Sequence, residues 1–187
     1  MSGPFCFCTG AAKHPGLLFP LTAAKLPSTP QGMDWYSIIK TLHILGATVL
    51  FGTGAGIAFF MYRSQSTADV QQKLYAARNT VLADYLFTLP AVILQPLSGA
   101  WLIWHGGYAW NEFWLSVTYG LYLLAGICWL PVVWIQIELK RLLVAAEKTN
   151  TPLSPRYEAL FRVWFMLGWP AFTGLLIIFF LMVSKPA

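Results

Sequence analysis

His43, His105 and Met182 are of types that ligate haem or a metal ion, and each lies in or beside a stretch without charged residues. Imidazole is a common ligand of transition metals, and imidazole and thioether are both axial ligands of haem. His43 sits in a stretch, 41–62, that contains no Asp, Glu, Lys or Arg. An ionisable residue in such a setting suggests a function. The plainer reading is a neutral imidazole bonded to a carbonyl or a water. A second polar set is Gln95 and Ser98, followed by Gly99, with Pro90 and Pro96 close by. Each proline frees a backbone carbonyl in a helix, and Gln95, Ser98 or a water can satisfy it. The set reads either as the polar clasp of a kinked helix or as the lining of a cavity. The cysteines Cys6, Cys8 and Cys128 form neither a disulfide framework nor a zinc spacing.

The elements that position these residues follow from hydropathy. Four stretches, 41–62, 85–104, 113–137 and 163–184, carry no charged side chain, and each is 20–25 residues long. About 20 apolar residues in a helix cross a ~30 Å hydrocarbon core. Without water, a span must satisfy its own backbone, which favours helices. The expected fold is all-α: a polytopic membrane protein with an antiparallel four-helix transmembrane bundle. Apolar residues make up 57% of the chain and charged residues 10%, far below the ~25% charged fraction of soluble domains. The net charge of +5 comes without a dense basic run, which argues against nucleic acid as a partner. The lipid bilayer is the expected partner, with homo- or hetero-oligomers left open.

The connections set the orientation. Segment 63–84 carries Arg63, Lys73 and Arg78, and segment 138–162 carries Lys140, Arg141, Lys148, Arg156 and Arg162. The short connection 105–112 carries no Lys or Arg. This asymmetry puts 63–84 and 138–162 in the cytoplasm and both termini outside. Val70, Leu74, Ala77 and Val81 recur at helical spacing within 63–84, which reads as an amphipathic surface helix or an extension of span two. Residues 1–32 hold five prolines and no spanning segment. They read as a disordered tail or as sequence ahead of a native start at Met33, with 33–187 as the transmembrane domain.

Within the spans, Thr48, Gly52 and Gly56 fall on one face of span one, and small residues at that spacing admit a neighbouring helix. Helix packing is therefore expected at Thr48, Gly52, Gly56, Gln95, Ser98 and Gly99. His43 lies on the other side of span one, in a stripe with Ala47, Leu50 and Gly54 that leaves room for a flat ligand. His43, His105 and Met182 share one membrane level, so a shared haem or metal site is one expectation. The spans carry no carboxylate, arginine or lysine, which weighs against an ion pump or a voltage sensor. Nor does any nucleophile–base pair or phosphate-binding loop appear.

The stretch WYSIIKTLHILGATVLFGTGAGIAFF, followed by FTLPAVILQPLSGAWL, resembles a family of bacterial integral membrane proteins known as domain of unknown function 2269. The resemblance runs from about Met33 to the end of span four and implies a bacterial inner-membrane, multi-pass protein. A more distant resemblance, through the Leu-His pair and the glycine-rich half of span one, is to HemJ-type protoporphyrinogen oxidases and CopD-like membrane domains. In HemJ-type proteins the histidine at the position of His43 is associated with haem. That resemblance implies haem b at His43, but Gln95-Pro96 stands where a fuller match would be required. Two readings follow: a non-enzymatic membrane component, or a haem- or metal-binding redox protein using His43.

Overall fold

The computed structural model describes residues 34–186. The expectations for residues 1–32 lie outside them. Four long helices account for nearly all of the described chain: α1 (Trp35–Ser64), α2 (Val70–Gly106), α3 (Phe113–Thr149) and α4 (Pro155–Ser184). Each is long and apolar enough to cross a membrane. Short polar segments separate them, and local chemistry sets their ends. The Asp69 carboxylate accepts from Gln71 N at 2.9 Å, and Ser154 Oγ accepts from Arg156 N at 3.3 Å, just ahead of Pro155. Gly107 and Asn150 close α2 and α3 in the left-handed conformation, which both residue types tolerate.

Helices α2 and α3, at 37 residues each, are roughly 55 Å long at 1.5 Å per residue. That exceeds a ~30 Å hydrocarbon core. The excess lies at the end bearing the two basic connections, called here the basic end. Of the two readings of 63–84, the structure has the extension of span two. Leu74, Ala77 and Val81 are buried against the bundle. Residues 138–149 likewise continue α3. This end holds the larger of two buried clusters among the described residues, built from Ile57, Met61, Leu74, Leu139, Leu143 and Tyr157 among others. Polar ties surround it. Arg156 pairs with Glu138 at 3.0 Å, and Gln65 Nε2 donates to the Tyr157 hydroxyl at 2.9 Å.

Helix α2 is not uniform. Residues Asp84–Thr88 form a π-helical turn, with Leu89 N bonding to Asp84 O. Pro90 follows at once. It donates no N–H, and its ring crowds the carbonyl four residues back, a conflict that a wider turn relieves. Pro96 leaves the Val92 carbonyl without its helical donor. The Tyr122 hydroxyl of α3 fills that vacancy by donating to Val92 O.

The buried stripe of α1 is Gly46, Leu50, Ile57 and Met61. This corrects the expectation that Thr48, Gly52 and Gly56 pack against another helix of the bundle. Thr48 and Gly52 are exposed, and a Cβ built at Gly52 or Gly56 meets nothing within 4 Å. Small residues at helical spacing show where a backbone can approach, not where one does. The close approach is at Gly46, where a built Cβ would lie 2.6 Å from Gln95 Nε2 of α2.

Candidate functional site

A cavity of about 360 Å³ opens within the bundle, lined by all four helices. Three missing side chains make room for it. Gly54 of α1, Gly126 of α3 and Gly168 of α4 all line it, and a Cβ built at any of them meets nothing within 4 Å. Most of the wall is apolar or aromatic and includes Leu50, Val92, Phe165 and Phe172. Ala58 of α1 and Trp169 of α4 belong to the wall and are also exposed on the outer surface. The cavity therefore reaches the surface of the bundle along the α1–α4 seam.

Polar groups gather at one part of this wall. Asp84 and Thr88 bracket the π-helical turn of α2, and Trp129 and Gln136 lie two helical turns apart on α3. Trp164 of α4 completes the set. Asp84 is 5% exposed, Thr88 4%, Gln136 2% and Trp164 5%. One atom on each of the five residues is buried without a hydrogen-bond partner: Asp84 Oδ2, Thr88 Oγ1, Trp129 Nε1, Gln136 Oε1 and Trp164 Nε1. Thr88, Gln136 and Trp129 face the Asp84 carboxylate, close by but outside good hydrogen-bond geometry. A buried polar atom left unpaired costs about 1–3 kcal/mol. Five among the residues of one wall mark a patch whose polar groups the protein itself leaves incompletely satisfied.

This site lay outside the sequence reading. Asp84 immediately precedes an uncharged span and reads from the sequence as the end of the 63–84 connection, which leaves the spans without a carboxylate. The structure corrects that boundary. Asp84 belongs to a continuous helix and is the only carboxylate buried among the described residues. Pro90 was the one local signal, since a proline early in a span predicts a disturbed turn before it. Nothing in the sequence brings Trp129, Gln136 and Trp164 to Asp84.

The residues that the sequence did single out lie elsewhere. His43 Nδ1 is 2.7 Å from Ser98 Oγ, and Gln95 Nε2 donates to His43 O at 2.9 Å. Ser98 Oγ also donates to Leu94 O at 2.6 Å. A hydroxyl has one proton, so in this arrangement His43 Nδ1–H donates to Ser98 and Nε2 keeps its lone pair. A Cβ built at Gly99 would lie 3.4 Å from His43 Cε1, so the ring rests against α2. His43, Gln95, Ser98 and Gly99 thus form one joint between α1 and α2.

His105 and Met182 are not part of that joint. His105 is exposed, stacks on Trp101 at 3.8 Å and places Nδ1 3.1 Å from Trp101 O. Met182 packs against the cluster of Ile103, Trp114, Leu115 and Leu181. The described residues contain no cluster of three or more His, Cys, Asp or Glu side chains placed to hold a metal. The cavity wall includes Gly54 of the His43 stripe but not His43 itself. A haem at His43 finds its Nε2 in the right tautomer, but the cavity and the two other candidate ligands lie apart from it. The geometry therefore does not provide a haem site, and no chemistry is derived through one.

Comparison with known proteins agrees with the hydropathy. No curated protein and no solved structure matches the chain. The family described as "Predicted integral membrane protein (DUF2269)" matches residues 37–186, which include all four helices except the first two residues of α1. Four apolar helices and this match make the chain a multi-pass membrane protein whose surroundings are the lipid bilayer, and it belongs to the predicted integral membrane protein family DUF2269.

Proposed function

We propose that this protein is a non-enzymatic component of the bacterial inner membrane that takes a small amphiphile from the bilayer into its intramembrane cavity. The observation that carries this reading is the wall itself: a mostly apolar cavity with five unpartnered polar atoms among its lining residues. Such a wall is complementary to a molecule with an apolar body and a polar head. The seam at Ala58 and Trp169 gives lateral access, so the ligand need not pass through water. In the proposed orientation the basic connections face the cytoplasm, supported by their excess of Lys and Arg. The Asp84 end of the cavity then lies toward the cytoplasmic side.

Native mass spectrometry of protein released from its own membranes tests the reading. The wild type should carry a bound amphiphile. Gly126→Leu and Gly168→Leu fill the space that the glycines leave open and should lose that mass while the bundle stays folded. A wild type with no bound species, or filled variants that keep theirs, overturns the proposal.

A further inference from the structure

We infer that the ligand class of this cavity is a lipophilic amine, whose protonated head pairs with Asp84 while its apolar body lies among the aromatic residues. The inference rests on the amphiphile reading above and deepens it.

The argument starts from charge. Asp84 is 5% exposed, and none of the ion pairs among the described residues involves it. The three side chains that face it, Thr88, Gln136 and Trp129, are all neutral. Their O–H and N–H groups can orient a carboxylate, but they supply no compensating charge. A buried charge without a counter-charge is among the costliest arrangements in a protein. Asp84 Oδ2 is closed off from solvent within the bundle, so water does not stand in for the missing counter-charge. A cation brought by the ligand supplies the missing counter-charge.

The rest of the wall favours the same class. Trp129, Trp164 and Trp169 line the cavity with Tyr122, Phe165 and Phe172. Aromatic faces attract cations, tryptophan most strongly, and the attraction grows when water is excluded. A carboxylate beside a tryptophan-rich wall is the chemistry that selects an organic cation over a neutral or anionic amphiphile of equal length. No Lys or Arg lines the cavity, so an anionic head would meet Asp84 without compensation.

The test uses the full-length protein, reconstituted in nanodiscs of zwitterionic lipid, with empty nanodiscs as the baseline. Dodecylamine, dodecanol and dodecyl sulfate are titrated, and bound mass is read by native mass spectrometry. The amine should bind the wild type more tightly than the alcohol, and the sulfate should bind least. Asp84→Asn keeps the shape and removes the charge. It should weaken amine binding on the order of thirtyfold or more and weaken the alcohol, which loses only a neutral head's hydrogen bond, far less; an unchanged midpoint in SDS titration shows that the variant is folded. If amine and alcohol bind the wild type equally, or Asp84→Asn spares the amine, the inference fails while the amphiphile reading stands. A preference for the sulfate overturns the inference as well. If no probe binds above the empty-nanodisc baseline, the cavity is not an amphiphile site and both fall.

Discussion

Substituting Gly46 by alanine tests whether the α1–α2 joint holds the bundle together. The added methyl carbon would sit 2.6 Å from Gln95 Nε2 and 3.4 Å from Leu94 Cδ2. Ordinary contact begins at about 3.4 Å, so the amide has to retreat by about 0.8 Å. It cannot do so freely. Gln95 is buried, and Nε2 donates to His43 O at 2.9 Å. The retreat breaks that bond and leaves an amide in an apolar setting, at a cost of about 1–3 kcal/mol. Alanine's better helix propensity returns at most ~1 kcal/mol. The net loss expected for Gly46→Ala is therefore about 1–2 kcal/mol.

Gly52→Ala is the matched control, since its methyl group meets nothing within 4 Å. It should be neutral or slightly stabilising. The assay is unfolding by SDS titration in mixed micelles. A Gln95→Ala background removes the obstacle and should cancel most of the Gly46→Ala penalty, giving a coupling of about 1–2 kcal/mol. Equal stability of Gly46→Ala and Gly52→Ala, or full additivity with Gln95→Ala, would refute the reasoning.

Other expectations follow from single contacts. Tyr122→Phe removes the donor to Val92 O and should cost about 1 kcal/mol in the same titration. Adding Pro96→Ala restores the helical N–H to that carbonyl and should recover part of the loss. Reporters fused at positions 108 and 150 should be active outside and in the cytoplasm, respectively; cytoplasmic activity at 108 reverses the orientation. His43→Ala should weaken the α1–α2 joint by removing the bond to Ser98, again by about 1 kcal/mol. Wild-type protein from haem-replete cells should show no Soret band if His43 serves only as that joint. A Soret band lost in His43→Ala would restore the redox reading.

Hydropathy alone sets the class of this protein. Runs of 20–25 residues without a charge leave little alternative to spanning helices, because an unpaired backbone is too costly in hydrocarbon. It also put His43 and Gln95-Ser98 forward as polar groups in need of partners, and the structure pairs them with one another across α1 and α2. Which faces meet is a matter of packing between the helices. Helical periodicity says which residues share a side of a helix, but in lipid both sides can be apolar, so the pattern does not tell an inward face from an outward one. Spacing favours Thr48-Gly52-Gly56, since Gly46 has Leu42 and Leu50 four residues to either side, and only packing chose Gly46. The cavity is more distant still from any local pattern. Gly54, Gly126 and Gly168 lie on three different helices, and the space exists only where the bundle lines them up. Asp84 reads as the edge of a loop until α2 is seen to run unbroken through it and carry its carboxylate into that space.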